Sequence, residues 1–343
     1  MKSLLKKYKW VIAGLGIAAA IAGIYTYSIL YSSNTSNTSD PVIVFIPNQI
    51  EWPNWLESDP QNIPIDDINA FKLTARIKGF KNIKPGRYKF KPGMSNNEII
   101  NMLRIGRQDP VRIRIDDTSN LYELAGRLGA ALQNDSTQFI NAFISASKYS
   151  SEGFSNEKIA CLIYPDTYDF FWTMTPEEFL EKMYSYHKKY FTPEKIDLAR
   201  KAGLSPQEVY ILASIVKAET AKKEEAPKIA GLYLNRLRIN KPLESDPTAV
   251  FAAGLDHMER VYNNVLQTES PYNTYRNSGL PPGPINFAET IYLDAVLKPE
   301  SHNFLYMCAQ PGNTGFHNFS TTFEQHKEYA RIYRNWLNQK GIR

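Results

Sequence analysis

The stretch Ser205-Pro206-Gln207-Glu208-Val209-Tyr210-Ile211-Leu212-Ala213-Ser214-Ile215-Val216-Lys217-Ala218-Glu219 decides how this chain is read. A serine, a proline after it and a glutamate three positions on are the signals of an N-cap, a first helical turn and a capping box, so a helix begins here. Steps of three and four from Leu212 through Ile215 and Val216 then arrive at Glu219. A stripe that should face a core therefore ends in a carboxylate. Two readings are open: a buried acid neutralised by an arginine or a backbone cap, or a carboxyl kept protonated near neutral pH by partial desolvation and able to hand its proton to a leaving group.

A second helical pattern spans 228–238, with Ala230, Leu234 and Leu237 on one stripe and Ile229 and Tyr233 flanking it. Gly231 in its middle weakens the helix, and close approach of a neighbouring backbone would compensate. Asn235 and Arg236 follow. Asp246-Pro247-Thr248 reads as a loop with Asp-Pro turn chemistry, and residues 270–275 and 279–285, rich in proline, glycine and asparagine, read as rigid irregular segments. Polar and aromatic loops beside a helix pair wall a groove.

Read in order, Leu212-Ala213-Ser214-Ile215-Val216, Glu219-Thr220, Asn235-Arg236-Leu237, Asp246-Pro247-Thr248, Ser270-Pro271-Tyr272-Asn273-Thr274-Tyr275, Gly279-Leu280-Pro281-Pro282-Gly283-Pro284-Ile285 and Gly315-Phe316-His317 resemble the endolytic murein transglycosylase MltG (YceG-like) family. The resemblance extends upstream through Tyr164-Pro165-Asp166-Thr167-Tyr168 and, more faintly, to the amino-terminal region. There are two departures: Ala160-Cys161 stands where the family usually has Glu-Gly, and Lys217 stands where many members carry a further acid two residues before the catalytic glutamate. The first bears on local packing. The second supports Glu219 as the acid that matters.

Length and composition fit two domains and an anchor. The chain has 343 residues, 43% hydrophobic and 13% aromatic, enough to bury real cores. Cys161 and Cys308 read as two buried free thiols. The net charge of +5 owes part of itself to Lys2, Lys6, Lys7 and Lys9, and is not a nucleic-acid footprint. After those lysines, residues 10–30 carry no charge and are long enough to cross a ~30 Å hydrocarbon core as a helix. A cleaved signal peptide is the rival reading, but the apolar run exceeds the roughly 7–15 residues of such a core, and Tyr25, Tyr27 and Tyr31 form an interfacial belt. The basic tail, 1–9, is expected in the cytoplasm and the rest outside, across the cytoplasmic (inner) membrane. With no cysteine here, a lipid anchor is excluded.

Residues 31–40 read as a polar linker, free to let the outer domains move away from the bilayer. Its two Asn-x-Ser/Thr matches would carry no sugar in a bacterial envelope protein. Residues 41–110 read as a small α+β domain: a strand at 42–46, a helix at 68–77, a strand at 86–90 and a helix capped by Ser95-Asn96-Asn97-Glu98 and running to 103. The Gly86-x-Tyr88-x-Phe90 strand before a capped helix resembles the family's LysM-like, glycan-binding module; a structural spacer is the alternative. Residues 111–343 form the expected larger catalytic domain, also α+β, with a strand at 111–115, helices at 121–132, 137–147, 176–190 and 193–202, and a strand at 304–307.

No glycine-rich phosphate loop and no Gly-x-Ser-x-Gly elbow is present. His187, His257, His302, His317 and His326 include no pair at metal-ligand spacing on one helix, so neither metal nor cofactor is expected. His317 is open to a structural or a substrate-lining role. The resemblance implies a single-carboxylate mechanism, in which Glu219 protonates the bond between N-acetylmuramic acid and N-acetylglucosamine and then deprotonates the muramoyl C6 hydroxyl, closing a 1,6-anhydro end within a glycan strand. Asn235, Asp246, Tyr272, Asn273, Tyr275 and His317 are the candidate substrate-binding residues. A two-carboxylate muramidase with Asp246 as second acid and a non-catalytic glycan-binding or division scaffold stand as alternatives. Expected partners are peptidoglycan strands, the cytoplasmic membrane and peptidoglycan synthases; nucleic acid is not among them.

Overall fold

The computed structural model describes residues 2–35, 40–48, 50–58, 63–116, 120–145, 147–255, 261–312 and 314–341, with the backbone alone for 2–7, 147 and 148. His257 lies outside the described residues. The chain mixes helices and strands and divides into two compact units, Met1–Arg112 with Ala131–Gln133 and Asp169–Met174, and Ile113–Ala130 with Asn134–Tyr168 and Thr175–Arg343.

The first unit opens with helix α1 (Lys2–Tyr31), of which Tyr8–Tyr31 is long and apolar enough to cross a membrane and is not buried. Strand β1 (Val42–Ile46) follows, then helices α2 (Trp52–Ser58) and α3 (Ile68–Ile77), strand β2 (Gly86–Phe90) and helix α4 (Asn96–Ile105). β1 and β2 pair antiparallel from Val42↔Phe90 to Ile46↔Gly86. Alternation puts Val44, Ile46, Tyr88 and Phe90 on one face, against Trp55, Phe71, Ile99 and Leu103. The capping box expected at Ser95 and Glu98 forms, and Gly106 closes α4 in the left-handed region at φ 78°.

The linker expectation fails in one respect. Asn34 and Thr35 are buried: the Asn34 amide donates to Asp67 O and Asn96 Oδ1 and accepts from Asp67 N, and Thr35 Oγ1 donates to Lys91 O. Asn96 Nδ2 donates to Ile29 O at 2.9 Å. Polar side chains that look solvent-bound in sequence here satisfy the backbone of the unit they precede, so the end of α1 is tied to it; residues 36–39 lie outside the description.

Strand β3 (Val111–Ile115), helix α5 (Leu121–Ala131) and strand β4 (Asp166–Phe170) each have residues in both units, and the second unit further contains helices α6 (Ser136–Ile144), α7 (Pro176–Tyr190), α8 (Pro193–Lys201), α9 (Pro206–Glu219), α10 (Ala226–Arg238), α11 (Asp246–Ala252), α12 (Asn263–Leu266) and α13 (Thr290–Leu297), strands β5 (Tyr306–Ala309) and β6 (His317–Ser320), and helix α14 (Phe323–Gln339). β3 pairs with β4 and β5 with β6 in two-stranded sheets. The helix expected at 137–147 stops at Ile144, a 3-10 helix spans Ser147–Glu152, and the strand expected at 304–307 starts two residues later. Asp246-Pro247-Thr248 is not a loop but the first turn of α11, since an Asp-Pro pair serves a helix start as well as a turn. Cys161 is buried, but Cys308 is only half-buried; both are free.

Buried α9 is the centre of this unit. The segment around 285–288 is strapped along it: Ser214 Oγ accepts from Ile285 N, Ser214 O accepts from Asn286 Nδ2, and Tyr210 Oη accepts from Ala288 N while donating to Ile163 O. α10 packs on α9, and the close approach expected at Gly231 is present, since a Cβ there would sit 2.5 Å from Glu300 O. Gly283 is similar, with Glu157 O in the place a Cβ would occupy. Neither position has room for a side chain.

Candidate active site

Glu219 ends α9, and its stripe delivers it where α10 and the turn into α11 meet. Tyr233, one helical face along α10, donates its hydroxyl to Glu219 Oε1 at 2.6 Å, and Ser245 Oγ donates to the same oxygen at 2.5 Å. Glu219 Oε2 has no hydrogen-bond partner among the described residues, so one oxygen is held and the other is left for a ligand. No arginine pairs with Glu219 among them, and the neutralised-acid reading loses its counter-ion. Burial pushes the carboxyl above its ordinary range; the hydrogen bonds from Ser245 and Tyr233 oppose this, the charge of Asp246 reinforces it, and His317 pulls the other way. The residue nevertheless stays partly exposed.

Ser245 is placed by a closed hydroxyl network. Its N–H donates to Thr274 Oγ1, Thr248 Oγ1 donates to Ser245 O, and the two threonine hydroxyls lie 2.7 Å apart while Thr274 N donates to Thr248 Oγ1. With Thr248 giving its proton to Ser245 O, Thr274 must donate to Thr248, and each group is satisfied without water. The turn before it is held by Arg236, whose guanidinium donates to Pro242 O at 2.8 Å, to Leu305 O at 2.6 Å and to the Glu244 carboxylate. Glu244 itself has φ 53°, a strained backbone next to the residue that orients Glu219.

The expected substrate-binding residues divide. Tyr275 Oη donates to Asp246 Oδ1 at 2.5 Å, so the two segments expected to wall one groove meet, with Asp246 exposed. Tyr272 packs its ring on Phe251 of α11 at 4.9 Å. His317 is fastened to buried Glu225, which accepts from the His317 N–H at 2.8 Å and lies 2.7 Å from Nδ1. Asn235 and Asn273 are spent on the chain itself: the Asn235 amide donates to His302 O and Phe304 O, and fully buried Asn273 donates to Leu266 O and Thr268 O. Their amide donors are used within the fold, where each satisfies nearby backbone carbonyls. Tyr233, Ser245, Arg236 and Glu225 were not singled out by sequence. The Asn235-Arg236 word was the available signal, and its second residue is the informative one. No group of three or more His, Cys, Asp or Glu side chains suited to a metal occurs among the described residues.

The profile of the YceG-like family matches residues 60–332. This chain belongs to that family. This YceG-like chain is 28% identical over 296 residues to the endolytic murein transglycosylase of Bacillus subtilis strain 168, covering 82% of the chain and 81% of the relative. It is 26% identical over 270 residues to the endolytic murein transglycosylase of Streptococcus pneumoniae serotype 2 strain D39, covering 70% of the chain but 49% of that longer relative. A 2.6 Å crystal structure of a yceG-like protein from Listeria monocytogenes aligns with a TM-score of 0.55 at 25% identity, over 85% of this chain and 99% of that one.

Proposed function

We propose that this YceG-like chain is a membrane-anchored endolytic peptidoglycan lytic transglycosylase in which Glu219 is first general acid and then general base, and that it ends the elongation of nascent strands. The names of its relatives support the substrate, and the asymmetry of the Glu219 carboxyl carries the mechanism. Tyr233 and Ser245 hold Oε1, so the acidic proton sits on Oε2. That proton passes to the glycosidic oxygen as the bond to the muramoyl C1 breaks. The carboxylate left behind takes the proton of the C6 hydroxyl as its oxygen bonds to C1, giving the 1,6-anhydro end without water. Tyr233 and Ser245 stabilise the carboxylate formed between the two steps.

The muramidase reading has one observation in its favour, the charge of Asp246 acting on Glu219. Against it, the Asp246 carboxylate is engaged by Tyr275. Mass spectrometry of the fragments released from purified sacculi decides: anhydro ends support transglycosylation, and reducing ends would make the enzyme a hydrolase.

A second test uses pH. Activity requires protonated Glu219 in the free enzyme, so kcat/KM falls as pH rises through its pKa. Ser245→Ala removes a donor that favours the charged form, raises that pKa further and moves the alkaline limb to higher pH. A limb that stays in place or moves down contradicts the assignment.

We extend the proposal to the anchor and the outer domains. The basic tail lies in the cytoplasm, the helix spans the cytoplasmic membrane, and domains 41–110 and 111–343 lie outside, where peptidoglycan synthases are the natural partners and the first domain serves as a LysM-like glycan module. The full-length protein then fractionates with membranes at uncleaved mass and is digested by protease added to spheroplasts. A soluble form starting near Ser32 would make the helix a cleaved signal.

A further inference from the structure

The unit that carries Glu219 has a cleft of about 690 Å³ that the chemistry above does not use. Leu204, Ile211, Leu234, Leu237 and Pro281 give it an apolar floor. Lys158, Arg200, Lys201 and Arg238 line it with four cations. Glu208 is the carboxylate in the lining, and it is occupied as the cap partner of Ser205 N at 2.7 Å. Nearby, Arg200 donates to Asp197 at 2.5 Å, Arg238 donates to Asn235 Oδ1 at 2.9 Å, and Glu157, beside Lys158, accepts from Ser155 Oγ at 2.6 Å. Lys158 and Lys201 have no ion-pair partner among the described residues. The cleft is therefore amphipathic, with aliphatic and proline side chains and two lysines free of a direct ion pair, though the charge of Lys158 acts on the adjacent Glu157.

Its position relates it to Glu219. Glu208 and Ile211 belong to α9, and at a rise of ~1.5 Å per residue they lie about 12–17 Å along the helix axis from Glu219, which ends it. Leu234 and Leu237 lie on α10, which carries Tyr233. One packed helix pair thus holds both the acid and the cleft. Gly279 to Pro282, a word with no part in the acid chemistry, closes one side.

We infer that this cleft binds a carboxylate-bearing stem peptide of the strand that Glu219 cuts, so that the enzyme favours strands whose peptides are free rather than crosslinked. The ligand's identity rests on the transglycosylase reading. An alanine-rich peptide ending in a carboxylate matches both halves of the cleft, its methyl groups on the floor and its anion on the lysines. A phosphate group would find the same cations but would leave the apolar floor uncovered, which is why inorganic phosphate is included in the test.

The test compares wild type with the double variant Lys158→Gln, Lys201→Gln, two side chains outside the core whose replacement leaves the fold intact by circular dichroism. Full-length protein in detergent is given peptide-bearing glycan strands and the same strands stripped by an amidase. Wild type is expected to cut the peptide-bearing strands several-fold faster, and the double variant to cut both at the wild-type rate for stripped strands. Equal wild-type rates, or a preference that survives in the variant, would overturn the proposal. Calorimetry with a synthetic stem peptide provides a readout free of catalysis: the free acid binds wild type, its C-terminal amide and the double variant bind at least about tenfold more weakly. Binding of inorganic phosphate but not of the peptide would overturn the proposal in favour of a phosphate ligand. If wild type cuts neither strand, the transglycosylase reading fails, and the calorimetry alone judges the cleft.

Discussion

Glu219→Gln folds normally and loses at least about 10²–10⁴-fold in the release of glycan fragments, the share that a positioned general acid and base supplies. The amide is nearly isosteric and keeps the contacts to Tyr233 and Ser245, but it has no acidic proton. The same variant makes a stability prediction of definite sign. A carboxyl whose folded pKa lies above its ordinary 4.5 favours folding fully below the unfolded value, and that contribution is lost as pH rises through the folded one. Above the folded pKa the wild type therefore bears a desolvated charge that the variant lacks, so the variant melts higher at alkaline pH and the gap closes as the pH falls toward the ordinary carboxylate range. Undiminished fragment release would remove Glu219 from the mechanism, and a variant that melts lower than wild type at alkaline pH would contradict the desolvation that raises its pKa.

Arg236→Ala is expected to cost about 2–4 kcal/mol, because it strips the part-buried carbonyls of Pro242 and Leu305 of their donor and leaves a void where the buried side chain was. The Arg236 side chain is 4% exposed, whereas its partner Glu244 is 39% exposed, so the loss comes mainly from the orphaned carbonyls and packing rather than from the ion pair. It also frees the strained Glu244 turn, and Ser245 moves off Glu219. The variant should melt lower in a thermal scan and, at a temperature where it is still folded, show reduced kcat. Wild-type kcat in a folded Arg236→Ala protein would separate the turn from the chemistry.

What the sequence makes legible is local. The capping box at Ser205 and Glu208, the apolar stripe that ends in Glu219 and the misfit glycine at 231 depend on residues within a few turns of one another, and each is found where periodicity and propensity put it. The partners of Glu219 are another matter. Tyr233 and Ser245 are 14 and 26 positions away, and only the packing of α10 on α9 and the threonine network turn them toward one oxygen. Nothing in Tyr233's own neighbourhood distinguishes it from a core tyrosine. Asn235 and Asn273 illustrate a related point: a polar side chain in a loop word is as well suited to cap the loop's own carbonyls, as both do here, as to hold a sugar, and composition does not separate the two. Asn34 and Thr35 repeat the lesson in a segment that reads as linker.

The most direct test of the account is the reaction in water enriched in heavy oxygen, with intact strands as substrate and products weighed by mass spectrometry. Intramolecular attack by the C6 hydroxyl predicts 1,6-anhydro ends carrying no label, formed by wild type and absent with Glu219→Gln. Reducing ends that carry the heavy oxygen would show that water, not the sugar's own hydroxyl, is the nucleophile, and would contradict it.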